Sequence, residues 1–214
     1  CGPCLDSLIL SPALCRYCLD PGCPGARREN CLRPWASLDE APLESVTAAY
    51  LSLGPGYEVL KSWKKIGGPV FDRQILPSDD ALRELRNRIV SATILPMPQE
   101  LGRSWRLGRS PAERLARWIS DKTDWEVAAA LERAPGPAMA VLRQAERTLE
   151  SRLKESPGFQ LSEGTQLRGP ALIVDDFLTS GKTIRAAARA LTRAGASEIH
   201  AFVLGVRPRL DALS

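Results

Sequence analysis

The chain has 214 residues, of which 44% are hydrophobic and 25% charged, and 29 basic groups against 25 acidic ones leave a net charge of +4. This composition belongs to a globular protein and excludes a disordered one, and no run approaches the ~20 apolar residues of a spanning helix. So small a surplus identifies no nucleic-acid partner, and the Arg-heavy basic set is explained as well by GC-rich coding as by phosphate recognition.

No basic segment followed by an apolar one opens the chain, so no secretion signal is expected and a cytoplasmic location is. The first residue is Cys1 rather than Met, so further N-terminal sequence is expected ahead of it. All six cysteines fall in the first 31 residues: Cys1, Cys4, Cys15, Cys18, Cys23 and Cys31. Two CxxC pairs, Cys1–Cys4 and Cys15–Cys18, have the spacing of paired knuckles whose four thiolates close a tetrahedral Zn²⁺ site. Disulfides or redox chemistry are the alternatives. Cys23 or Cys31 either replaces one of the four or stays a thiol in a reducing compartment. Such a metal adds about 10–16 kcal/mol of apparent binding energy, enough to fold a segment too short for its own core. The Pro/Gly-rich run at 20–25 and the stretch from Pro34 to Pro42 read as its end and a linker. Residues 1–45 are therefore taken as a zinc-binding module with its linker, and 46–214 as the main domain.

From Val46 the pattern alternates strand and helix. Val46 to Leu53 reads as a strand and Tyr57 to Lys65 as a helix. Residues 79–90 carry Leu82, Leu85 and Ile89 on one helical face, and Ala92 to Leu95 reads as a buried strand stopped by Pro96 and Pro98. Ser110-Pro111-Ala112-Glu113 is a capping box with Pro at the first helical position. Trp125 to Leu131 reads as a strand, and the span from Pro137 to Pro157 as a long helix. The clearest unit is the last. Ala171-Leu172-Ile173-Val174 is the continuous apolar run of a parallel strand covered on both faces. Ser180 opens a helix with Ile184, Ala187, Ala188 and Leu191 inward, Gly195 ends it, and Ile199 to Val206 is the next strand. Strand, helix and strand over about 35 residues make a βαβ unit, so the fold class is α/β with a parallel sheet flanked by helices.

The strand-to-helix turn runs from Val174 to Thr183, at the carboxyl end of a strand where open α/β sheets bind ligands. Thr179, Ser180, Gly181, Lys182 and Thr183 offer backbone amides, hydroxyls and a cation at a helix start, which together suit a phosphate. Asp175 and Asp176 just before them would repel a triphosphate but accept hydrogen bonds from ribose hydroxyls. The turn thus suits a ribose 5-phosphate. The competing readings are an ordinary solvated turn and a P-loop. The first Gly of a P-loop would fall on Asp176, where a side chain obstructs close backbone approach. His200, the single histidine, reads as structural. Arg185, Arg189 and Arg193 read as the solvated side of the helix, and Trp63, Trp105, Trp118 and Trp125 as core, with base stacking an alternative for Trp63 and Trp105.

The stretch from Leu172 to Thr183 resembles the phosphoribosyl-diphosphate (PRPP) signature of type I phosphoribosyltransferases, with Lys182 in place of a small residue. Cysteine knuckles ahead of such a domain resemble the ComF family. So do Ala48-Ala49-Tyr50 followed by Leu60-Lys61 and Lys64, and Leu95-Pro96-Met97-Pro98 followed by Arg103, Arg106 and Arg109. The resemblance implies a type I phosphoribosyltransferase-like domain that binds PRPP with Mg²⁺. It also implies transfer of the ribosyl group to an acceptor nitrogen and a role in natural transformation, where single-stranded DNA enters the cell. Asp175 and Asp176 would take the ribose diol and act at the reacting centre. Thr179 to Thr183 would take the 5-phosphate, and Arg103, Arg106 and Arg109 the pyrophosphate. Two departures stand out: Arg106-Leu107-Gly108-Arg109-Ser110 replaces the family's Arg-Gly-Phe-Asn-Gln, and its polar Gln and Asn positions are not recognisable in 135–152. They favour an alternative, a non-catalytic zinc-dependent module that grips single-stranded nucleic acid and keeps a vestigial phosphate loop. The charge distribution suits either reading: residues 61–118 carry 12 basic and 6 acidic groups, more than the whole surplus.

Overall fold

The computed structural model describes residues 2–10, 23, 43–66, 68–77, 79–99, 109–134 and 158–207. Cys1, Cys15, Cys18, Cys31, the 34–42 linker, Arg103, Trp105, Arg106 and the helix expected between Pro137 and Pro157 lie outside them. Within them a short helix α1 (Gly2–Leu5) and strand β1 (Ile9–Leu10) lead to β2 (Ser45–Leu51), α2 (Gly54–Ile66), α3 (Pro69–Ile75) and α4 (Asp79–Arg88). Strand β3 (Thr93–Pro96), helix α5 (Pro111–Thr123) and the short strands β4 (Leu131–Arg133) and β5 (Phe159–Leu161) follow. The chain closes on β6 (Ala171–Leu178), α6 (Lys182–Arg193) and β7 (Ile199–Val206).

The main sheet has the order β1-β2-β7-β6-β3. Strands β2, β7, β6 and β3 are mutually parallel, and β1 adds an antiparallel edge through Ile9 opposite Leu51. Strands β4 and β5 form a separate antiparallel pair. The expected α/β architecture with a parallel sheet between helices is therefore present. Every residue of β7 is buried, as a central parallel strand with helices on both faces requires. On one face Ile173, Ala201 and Val203 pack with Ile184, Ala187 and Leu191 of α6 and with Leu131 and Phe159. On the other, Leu172, Val174 and Phe202 pack with Leu60, Trp63, Leu82, Leu85, Leu115 and Ile119 from α2, α4 and α5.

The sequence expectations hold in some elements and fail in others. The capping box on α5 is present as expected: Ser110 Oγ accepts from the Glu113 amide at 3.0 Å, and Glu113 Oε2 accepts from the Ser110 amide at 2.8 Å. Trp125 to Leu131, in contrast, is not a strand. Only Val127 bridges to Ile94, and the strand lies at Leu131–Arg133, because Trp125 turns inward to donate its indole N–H to the Val90 carbonyl. Strand β6 does not end at Val174 but runs to Leu178, so both aspartates are strand residues and not turn residues. Arg185 is not solvated, at 3% exposure, since it falls on the inward side of α6's first turn. No helix among the described residues is long and apolar enough to cross a membrane.

Candidate functional site

Adjacent residues of a regular strand point to opposite faces of the sheet. Two neighbouring carboxyl groups on β6 should therefore be separated, yet they meet. One residue further on, the pleat slips, which puts Asp176 and Phe177 on the same, α2-facing side. Leu172 and Val174 face the α2 side, but Leu178, four residues past Val174, faces the α6 side, and Phe177 packs on the α2 side in its place. Strand β7 slips in step: Leu204 lies on the α2 side and Val206 on the α6 side. In β2, Ala49 and Tyr50 occupy the same face consecutively. The ladder records the event. It pairs Asp175 with Val203 and next Phe177 with Gly205, passing over Asp176. The Asp176 amide instead donates to Asp175 Oδ1 at 2.8 Å. A local slip of this kind re-aims side chains in the way a bulge does.

Asp176 is buried at 7% exposure, and its Oδ2 receives Lys64 Nζ at 2.7 Å from the last turn of α2. Burial and the neighbouring Asp176 carboxylate push Asp175 up to about 7, while the Lys64 ammonium works in the opposite direction. An acid pair sharing one enclosure cannot easily hold two charges, and here the cation sits on one member. Lys64 Nζ also stands 5.6 Å from the Phe177 ring centre. The edge of Phe177 meets Tyr57, with centroids 6.1 Å apart, and Tyr57 in turn faces Lys61 Nζ at 5.1 Å and the Arg207 guanidinium at 5.8 Å.

Past β6 the chain turns through Thr179 and Ser180, both exposed, to Gly181. Gly181 caps α6 with φ 72°, a left-handed conformation that suits glycine, and no side chain closes the cap. The first amides of α6 therefore keep their outward orientation. The Lys182 amide makes a long contact of 3.4 Å with Ser180 Oγ. Lys182 itself is exposed, and Thr183 is half-buried beside it. A helix start with open amides, a local dipole and a cation is an anion-binding arrangement. The structure thus brings Asp175, Asp176, Thr179, Ser180, Gly181, Lys182 and Thr183 together at the carboxyl edge of the sheet.

The remaining candidates fall elsewhere. Arg109 is exposed immediately before the α5 cap, while Arg103 and Arg106 lie outside the described residues. Cys4 is an exposed residue of α1, and the described residues contain no group of three or more metal-ligating side chains, so the proposed zinc ligands lie largely outside what the structure describes. His200 accepts its expected structural role: Ser45 Oγ lies 2.9 Å from Nδ1 and Glu198 Oε2 3.4 Å from Nε2, at the amino end of the sheet. Burial lowers its pKa, against the opposing pull of Glu198. Trp63 is fully buried, so it stacks on no base. Sequence reasoning missed the pairing of Lys64 with Asp176. Lys64 was visible as one of several lysines on α2, but nothing in the sequence connects it to a strand more than a hundred residues away.

Residues 138–210 match the family model of the phosphoribosyl transferase domain, a span that contains β6, the loop, α6 and β7. No curated protein matches the chain. The family match supports a ribose-phosphate ligand and is consistent with transferase chemistry.

Proposed function

We propose that the chain binds PRPP and transfers its phosphoribosyl group. The observation that carries this reading is the convergence of Asp175 and Asp176 directly ahead of the open-capped Thr179–Thr183 loop. Acids that accept hydroxyl hydrogen bonds stand beside a helix start suited to a phosphate, within the segment that matches the family model. Asp175 and Asp176 hold the ribose diol, and the backbone amides of the loop with Thr179, Ser180, Lys182 and Thr183 hold the 5-phosphate. Arg103, Arg106 and Arg109 take the pyrophosphate. In the reaction a nitrogen of the acceptor forms a bond to the ribose C1′. The C1′–oxygen bond breaks, its electron pair leaves with pyrophosphate, and the acceptor nitrogen gives up its proton to solvent or to a basic group. Mg²⁺ bound together with PRPP would supply charge to offset that of the departing pyrophosphate. The protein's own part is to fix the sugar and exclude water from C1′.

The finer assignment is a ComF-like protein: a zinc module in residues 1–45 joined to a domain over 46–214, acting on imported single-stranded DNA in natural transformation. It rests on the CxxC pairs and the family resemblance. A second reading, a non-catalytic module for single-stranded nucleic acid, is favoured by the Tyr57 ring set between Lys61 and Arg207, since aromatic faces with flanking cations stack bases.

Calorimetric titration with PRPP, with and without Mg²⁺, tests the first reading on the native chain and on Asp175→Ala and Asp176→Ala. Binding that either substitution abolishes is expected; no heat from the native chain would sink the reading. Binding of a labelled single strand that weakens steeply with salt is expected of the second.

A further inference from the structure

Lys64 is set apart from the other cations of the site by what it touches. It lies in the last turn of α2, on a different layer of the fold from β6, and its Nζ reaches 2.7 Å from Asp176 Oδ2. Asp176 is almost fully enclosed, whereas the Lys64 side chain is 36% exposed, so the pair spans the boundary between core and solvent at the mouth of the site. The Lys64 ammonium also stands over the Phe177 ring, 5.6 Å from its centre. Phe177 is itself turned to this side by the slip in β6. The contact therefore joins three features: the helix that closes one face of the sheet, the slipped strand end and the acid pair.

We propose that Lys64 is a positioning residue of the sugar-binding acids, which fixes the Asp176 carboxylate from α2 so that the pair meets a ribose diol with one acid oriented as an acceptor. This rests on the ribose-phosphate reading of the same site. Two adjacent carboxyls in one enclosure otherwise share a proton in either orientation, and a shared proton turns the nearer oxygen from acceptor to donor. With Lys64 on Asp176 the arrangement is no longer symmetric: burial and the Asp176 carboxylate raise Asp175 to about 7, with the Lys64 charge pulling it down. The other charged groups on this face, Lys61 and Arg207, stand further off on Tyr57, and Lys61 is engaged by Glu58 at 2.8 Å. Lys64 thus touches the acid pair directly, through Asp176.

The test compares the native chain with Lys64→Met, Lys64→Gln and Lys64→Arg by two measurements. One is calorimetric titration with PRPP and Mg²⁺ between about pH 6 and 9; the other is carboxyl-carbon NMR titration of Asp175 without ligand. Loss of one charge-assisted contact predicts PRPP binding weaker by about tenfold in the two neutral variants, with Lys64→Arg within about threefold of native. The Asp175 titration moves upward in both neutral variants and stays in Lys64→Arg. A merely structural tether would lower thermal stability and leave that titration where it is, which would overturn the proposal, as would native-like PRPP binding in the neutral variants. If the native chain binds no PRPP, the ribose-phosphate reading fails. Lys64 is then judged on the carboxyl titration alone, and an unmoved midpoint overturns its role.

Discussion

Gly205 on β7 lies opposite Phe177 on β6, and a methyl group placed on its Cα would come within 3.1 Å of Phe177 Cε1. The same methyl would meet Leu60 Cδ1 at 3.0 Å and press on Ser52 Oγ. The slip that turns Phe177 toward α2, onto the same face as Asp176, needs a residue without a side chain at this point. Gly205→Ala should destabilise the fold by about 1–3 kcal/mol, the usual cost of overfilling a packed interior. It should also weaken PRPP binding, because Phe177 cannot move without its neighbour Asp176. Thermal denaturation and PRPP titration check both halves; an unchanged melting temperature would mean that the strand ends have slack the distances deny.

The helices over the site are tied by a polar knot inside an apolar face. Trp63 Nε1 donates to Asp72 Oδ1 at 2.6 Å, Arg114 Nη1 lies 3.3 Å from the same oxygen, and the Arg114 guanidinium stacks over Trp63 at 4.5 Å. Arg114 Nη2 also donates to the Trp63 carbonyl at 3.2 Å. The two charged side chains are only 14% and 17% exposed, so the ion pair sits nearer the buried limit of ~3–5 kcal/mol for losing one partner than the surface limit of ~0–1. Arg114→Met is therefore expected to cost about 2–3 kcal/mol, while Trp63→Phe, which keeps most of the packing and leaves Asp72 paired, should cost nearer 1–2. Urea unfolding midpoints would rank the two; a larger loss for Trp63→Phe would locate the knot's contribution in the indole instead.

Asp175 gives the fold a pH dependence with a definite sign. Its carboxyl titrates near its ordinary 3.8 when unfolded and at about 7 when folded. Between those values the folded chain holds a proton the unfolded chain has released, so stability falls as pH rises through this window and levels off above it. This is the reverse of the behaviour of a salt-bridged acid. Asp175→Asn, which mimics the protonated form, should remove that contribution and leave the variant more stable than native at pH 8. The difference between native and variant urea midpoints, followed from pH 5 to pH 8, isolates this group from the other acids. Equal slopes in the two proteins would rule the contribution out.

The parallel βαβ unit was legible because a run of four apolar residues and an amphipathic helix admit few alternatives. The acid pair and the loop were legible because ligand chemistry there depends on residues contiguous in the chain. What stayed hidden depends on contacts across the fold. Strand β6 continues through Asp175 and Asp176 because Val203, Gly205 and Val206 of β7 keep pairing with it, and two consecutive acids do not look like strand in isolation. The spacing of Arg185 with Arg189 and Arg193 suggests a solvated stripe, but Arg185 is buried while Arg189 is half-buried and Arg193 exposed, so the three arginines do not share one environment. Lys64 could not be paired with Asp176 from spacing at all, since the pairing is set by how α2 lies over the sheet.

The N-terminal cysteines make a prediction of their own. If the two CxxC pairs close one site, elemental analysis of the purified chain should return about one zinc per molecule. Cys15→Ser with Cys18→Ser should lower that content, and removal of the metal should unfold the segment around it, which is too short to build its own core. A metal-free chain with an unaltered fold would overturn the zinc assignment while leaving the ribose-phosphate site untouched.

Gly181 offers the sharpest test of the phosphate loop, because its conformation and its function make separate demands. With φ at 72° it occupies a region that costs a residue with a Cβ about 1–2 kcal/mol, so Gly181→Ala should lower stability by that amount. Gly181→Asn should cost less, since Asn tolerates the left-handed region. If the open amides of α6 hold a phosphate, the methyl of Gly181→Ala also disturbs the surface on which that phosphate rests, and binding of PRPP and of inorganic phosphate should fall together. A side chain that disturbed only the sugar end would weaken PRPP and spare inorganic phosphate. Titrating both ligands into the native chain and the two variants separates these outcomes, and undiminished phosphate binding in Gly181→Ala would move the anion site away from this loop.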